Sequence, residues 1–175
     1  SFNHNYKKEI FVQPSPLILK DGARIMSLND GTRKMSKSEE SDYSRINLTD
    51  DADTIKKKFQ KAKSDSEPTI TYEKEKRPDI ANLLTIYAAL ADISIESATK
   101  LFAGKRSSDL KSGLADIAVS KLSPITLEIK KLKEDKTYLH NILKDGAEKA
   151  NEIAEKNLKE VKEVVGFHYY PVDVC

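Results

Sequence analysis

Cysteine is nearly absent from this sequence: one occurs in 175 residues, and it is the last, Cys175. That excludes an intramolecular disulfide and any metal site built on cysteine. His4, His140 and His168 lie too far apart for a zinc motif, so no metal centre is expected. Long hydrophobic runs are lacking too, and none approaches the ~20 residues that cross a bilayer, so no membrane is expected as a partner. The amino terminus, SFNHNYKKEIFV, is neither a signal peptide nor an arginine-rich transit segment, and it reads as the middle of a longer pattern. An excess of one charge is missing as well, since Lys+Arg 30 against Asp+Glu 28 leaves a formal net charge of +2. The molecule as a whole is therefore no polycation, and any anion binding has to come from local clustering. There is no glycine-rich phosphate loop, nucleophile elbow or ordered Ser/His/Asp set, and the many carboxylates show no acid/base pairing.

What is present suits a helical protein with a modest core: 38% hydrophobic and 33% charged residues in one ordinary domain, or one and a half small ones. Residues 9–28 read as extended structure, broken by Pro14 and Pro16, with Asp21-Gly22 as a turn and Arg24 to Leu28 as a short strand. From Leu48 the period turns helical. Asp50, Asp51 and Asp53 offer a cap and an acidic first turn, and Ile55, Phe59 and Ala62 form a stripe among five lysines. TITY is a short extended piece, and Pro78-Asp79 starts the next helix, with Ile80, Leu83, Leu84, Tyr87 and Leu90 on one face. Ser94 caps a helix that Gly104 stops. Segment 109–134 has the cleanest period, and Pro124 within it predicts a kink or a fresh start capped by Ser123. A last stripe runs from Leu139 to Val165, where Gly166 ends it, and Gly146 with Ala147, Ala150 and Ala154 offers a small-residue face for another helix. These stripes need partners, so residues 79–167 are expected to form an antiparallel bundle.

One stretch is too polar to pack. In GTRKMSKSEESD, Gly31 to Asp42, Lys34 and Lys37 stand among Ser36, Ser38 and Ser41, and Met35 alone is apolar. Such a loop is either solvated surface or an arm that closes on an anion, its ammonium groups acting as mobile point charges and its hydroxyls as donors. The run KKKFQKAK, Lys56 to Lys63, also has two readings: a face for nucleic-acid phosphates or a solubilising face opposite Ile55 and Phe59.

The loop KMSKS, Lys34 to Ser38, resembles the signature of class I aminoacyl-tRNA synthetases. ARIMSL and DGTRKMSKS, with INLTDD after them, narrow the resemblance to tryptophanyl-tRNA synthetases of the bacterial and organellar type. It continues through RPDIANLLTIY, LFAGKRSSDLKSGLAD and LKDGAEKANEIAEKNLKEVKEVVGF, and so covers about Phe2 to Phe167. The resemblance implies a mainly α chain: a carboxy-terminal helical bundle preceded by a short α/β remnant of a Rossmann-type nucleotide-binding domain. It divides the chain into 1–48 of that domain, a connecting helix and linker over 49–78, an anticodon-binding domain over 79–167, and a tail over 168–175. Ile25 and Met35 would lie beside the adenine of ATP, Lys34 and Lys37 would stabilise departing pyrophosphate, and Ser36 and Ser38 would support the loop. Lys111, Lys144 and Lys149 are the basic residues of the most family-like helical stretches and are candidates for tRNA contact.

The implied partners are ATP with Mg2+ and the tryptophan tRNA, and the implied place is the cytoplasm, or alternatively a mitochondrion or plastid. The family's HIGH signature and tryptophan pocket are not found in the sequence. The resemblance therefore implies a carboxy-terminal fragment, inactive alone and monomeric, of an enzyme that is homodimeric at full length. A non-catalytic helical RNA-binding or interaction module is the alternative.

Overall fold

The computed structural model describes residues 1–18 and 22–167. Leu19 to Asp21, from the stretch expected to be extended, and the tail 168–175 lie outside the described residues. Among the described residues six helices follow one another: α1 Phe2–Tyr6, α2 Ala52–Lys61, α3 Pro78–Ala91, α4 Ile95–Phe102, α5 Ser107–Glu134 and α6 Lys136–Val165, with a short 3-10 turn at Asp42–Ser44. Their ends follow local chemistry. The Asp51 carboxylate accepts from the Thr54 N–H and caps α2, Ser94 Oγ does the same for α4 through Ser97, and Pro78 occupies the first turn of α3. Gly166, at φ 84°, closes α6 by donating to Glu163, while the Phe167 N–H reaches the Lys162 carbonyl at 2.9 Å.

The backbone groups into two compact units, Ser1–Leu17 with Leu132–Cys175, and Ile18–Lys131. The second holds the core. Ile55 and Phe59 of α2 pack with Ile80, Leu83 and Leu84 of α3, Ala98 and Phe102 of α4, and Leu110 and Leu114 of α5, all buried. Each large side chain so removed from water contributes about 1.5–3 kcal/mol. Gly113 lets the Phe102 ring approach α5, and that ring meets Tyr87 edge-on at 4.9 Å between centroids.

One expectation is corrected and another is narrowed. No strand forms among the described residues; the segment expected as an α/β remnant keeps one isolated antiparallel bridge, Met26 with Lys34. The reason is that other groups occupy the backbone there. The buried Asn82 side chain of α3 accepts from the Met26 N–H and donates to its carbonyl, both at 2.9 Å, and Leu28 is bonded by the Ser44 carbonyl and the Lys63 N–H. The break between α3 and α4 turns the chain by 111°. Helix α6 buries no residue, and nothing stands within 4 Å of a Cβ added at Gly146. Helix α5 runs through Pro124 as one helix, so no fresh start follows Ser123. Leu110, Leu114 and Ala118 hold one half on the core, and the buried Thr126 hydroxyl, 2.9 Å from the Leu48 carbonyl, holds the other.

The first unit contains α1 and α6. Phe2 stacks against Tyr6 and meets Phe11 edge-on, with centroids 4.6 and 5.2 Å apart, while the Asn3 amide bonds the backbone of Ile10 and Phe11. Among the described residues no single helix is long and apolar enough to cross a membrane.

Candidate functional site

The two-lysine loop rises from a short ladder. The Ser27 N–H donates to the Arg33 carbonyl at 2.8 Å and the Met35 N–H to the Ile25 carbonyl at 3.1 Å. Met26 and Lys34 are thereby a facing pair with side chains on one face, while Ile25 and Met35 share the other. Ile25 and Met35 are half-buried, and Met35 packs against the core. Lys34, Ser36, Lys37 and Ser38 are exposed, and neither ammonium enters an ion pair among the described residues. The Ser36 hydroxyl accepts from the Ser38 N–H at 3.2 Å, which folds the tip into a tight turn.

Both feet of the loop are tied. At the leading foot the Gly31 N–H donates to the Asp79 carboxylate at 2.7 Å, against the start of α3. A Cβ at Gly31 would collide with the backbone of Pro78 and Asp79, so close approach rather than an unusual φ explains this glycine. Asp30 closes the same turn by accepting from the Thr32 hydroxyl and N–H, which hold its carboxyl below the usual range. At the trailing foot Arg45 donates to the Glu39 carbonyl at 2.9 Å and pairs with Asp42 at 3.1 Å. Asp42 in turn meets Lys58 of α2 at 2.6 Å, and Asp50 meets the same ammonium at 2.6 Å. Hydrogen bonds from Lys58 and then Asn47 lower the Asp42 carboxyl below its ordinary range.

Lys58 corrects the reading of the basic run as one uniform outer face. It is 2% exposed, and its neighbours differ from one another. Lys61 lies over the Tyr43 ring, 4.3 Å from the centroid, Lys63 pairs with Asp79 at 3.3 Å, and Lys56 and Lys57 are exposed. The signal was in the spacing: Ile55, Lys58, Phe59 and Ala62 stand at i, i+3, i+4 and i+7, which puts the lysine on the inner stripe.

The candidate tRNA lysines are not gathered in one unit. Lys111 of α5 is half-buried beside Lys56, Gln60 and Ser108 in a recess of about 500 Å³, and burial lowers its ammonium below the ordinary value. Lys144 and Lys149 lie on α6 in the other unit, both exposed, with Lys144 4.0 Å from Glu148. Their spacing of five places them on different sides of the helix.

A cleft of about 620 Å³ opens beside the ladder, lined by Arg24, Met26, Thr32, Tyr72, Lys74 and Thr85 among others. Neither Ile25 nor Met35 lines it. Among the described residues no three His, Cys, Asp or Glu side chains converge as a metal site. Arg77 is a further residue that spacing did not reveal. Buried at the start of α3, it makes a two-pronged contact with Asp65 at 2.6 and 2.9 Å and donates to the Thr69 carbonyl and Thr71 hydroxyl, which ties down the linker. Its contact with Asp65 raises the guanidinium and lowers the carboxyl.

The family model for class I tRNA synthetases (W and Y) matches residues 1–128. The chain belongs to that family. Curated relatives include tryptophan–tRNA ligases. That of Brucella melitensis is 49% identical over 159 residues, which are 90% of this chain and 45% of the relative. That of Rickettsia felis is 47% identical over 165 residues, 94% of this chain and 50% of the relative. The crystal structure of tryptophanyl-tRNA synthetase from Mycoplasma pneumoniae matches with a TM-score of 0.82 at 27% identity, covering 95% of this chain and 50% of that one. The Campylobacter jejuni enzyme complexed with ADP and tryptophan shares the fold, with a TM-score of 0.63 at 21% identity over 94% of this chain and 50% of that one. The chain spans about half the length of the curated relatives it matches.

Proposed function

We propose that this chain serves tryptophan–tRNA ligation by supplying the loop that grips the phosphates of ATP and the helices that read the tryptophan tRNA. The observation that carries the reading is the loop itself: two unpaired, exposed ammonium groups on a tip whose feet are both bonded. ATP would bring the activated phosphate, and the residues of this chain would do the rest. Lys34 and Lys37 would meet the negative charge that grows on the departing pyrophosphate, and a donor of that kind is worth about 3–4 kcal/mol in the transition state. Ser36 and Ser38 would shape the tip, and Ile25 and Met35 would offer an apolar wall to the base. The donor set suits phosphates, since among the described residues no carboxylate pairs with either lysine; Mg2+ would arrive on the nucleotide, with its other positions held by water.

On this reading residues 1–48 belong to the nucleotide-binding part and the helices beyond 79 to the tRNA-reading part. The chain alone neither activates tryptophan nor charges tRNA, because preorganised stabilisation needs every member of the site in place. The test passes a total tRNA pool over the immobilised chain at low and high salt and sequences what stays. Enrichment of the tryptophan acceptor at the higher salt is the expected result. Release of all tRNA as salt rises would mean that only phosphates are held, and enrichment of another acceptor would overturn the assignment.

A further inference from the structure

Lys58 is a buried cation with no part in the proposed contact with phosphate. Its ammonium is fixed between Asp42, in the turn that follows the loop, and Asp50, just ahead of α2. Asn47 braces the two carboxylates, donating from its side chain to Asp42 at 2.9 Å and to Asp50 at 3.3 Å, and from its backbone to Asp50 at 2.9 Å. Arg45 completes the cluster and holds the Glu39 carbonyl, one residue beyond Ser38. Two cations and two carboxylates therefore balance. Removing the central one leaves the nearly buried Asp50 carboxylate without a cation, beside a half-exposed Asp42 that keeps Arg45, a loss for the local structure. A lone lysine on the core side of α2 is otherwise hard to account for, because an apolar side chain there would cost less to bury.

We infer that Lys58, through Asp42, Asp50 and Asn47, is a positioning residue that anchors the trailing foot of the KMSKS loop to the helical core, confining the loop's movement to its tip. The inference rests on the reading of that loop as a phosphate grip. With Gly31 held by Asp79 in front and Glu39 to Asn47 held behind, the span left free is Ser36 to Ser38, which contains Lys37 and lies two residues beyond Lys34. Closure on an anion then displaces a few residues instead of unravelling the segment up to α2, so the ammonium groups keep their register.

Amide hydrogen exchange on the whole chain tests this, read by mass spectrometry with and without inorganic pyrophosphate. In Lys58→Met, exchange over 39–47 should quicken on the order of tenfold or more, with α3 to α5 unchanged, and Lys58→Arg should restore it. Asp42→Asn, a milder change at a half-exposed side chain, should loosen 39–44 alone and keeps the test open if Lys58→Met folds poorly. Unchanged exchange over 39–47, or equal loosening of α3, would overturn the anchor. Pyrophosphate should slow exchange over 34–38 in the parent chain and less so in Lys58→Met; equal protection in both would overturn the positioning role. Absence of protection in the parent chain would sink the phosphate reading itself, while the exchange over 39–47 would still decide the anchor.

Discussion

Gly31 has no room for a side chain, because its Cα faces the first peptide of α3. Gly31→Ala should lower stability by about 1–3 kcal/mol through forced displacement of that contact. A urea midpoint equal to that of the parent chain would contradict it. Arg77 concentrates four hydrogen bonds in one buried guanidinium. Arg77→Lys keeps the charge but loses the two-pronged fit, so it should cost more than an exposed Arg-to-Lys change, and thermal unfolding would show it. Residues of this sort explain what the sequence could and could not reveal. The KMSKS lysines were legible because a polar run announces itself without knowledge of the fold. Asn82 and Thr126 were not, since their partners lie 56 and 78 residues away and no local pattern points to them.

At the scale of elements, caps were the most legible features, being local chemistry: Asp51, Ser94 and Gly166 end their helices as their neighbours dictate. The strand was misread because an element's periodicity states which face wants covering but not what covers it. Met26 found a side-chain amide in place of a strand partner. Pro124 offers a test of the continuous α5. It is exposed inside the helix and deprives it of one backbone bond, so Pro124→Ala should raise stability by about 1–3 kcal/mol. A helix that in fact restarts after Ser123 would gain nothing.

At the scale of the whole molecule, the carboxylates set the acid limit. The carboxyls of Asp42, Asp51 and Asp65 are all held below the ordinary carboxylate value, by Lys58, the Thr54 hydroxyl and N–H, and Arg77 respectively. A carboxyl depressed in the folded state adds stability that is full above its unfolded value and is lost as pH falls through the folded one. Urea midpoints should therefore hold down to about pH 4 and drop below it, and Asp65→Asn should flatten part of that drop. An equal decline in the variant would show that the Arg77 contact contributes nothing to it.

The central claim is that Lys34 and Lys37 stabilise pyrophosphate in tryptophan activation. Its most direct test joins this chain to the amino-terminal half of the Brucella melitensis ligase and follows amino-acid-dependent ATP–pyrophosphate exchange. The account predicts exchange with tryptophan and not tyrosine, falling about 10²–10³-fold in Lys34→Ala and in Lys37→Ala while the helical signal is unchanged. A fusion that exchanges with tryptophan yet keeps its rate without both lysines would contradict it.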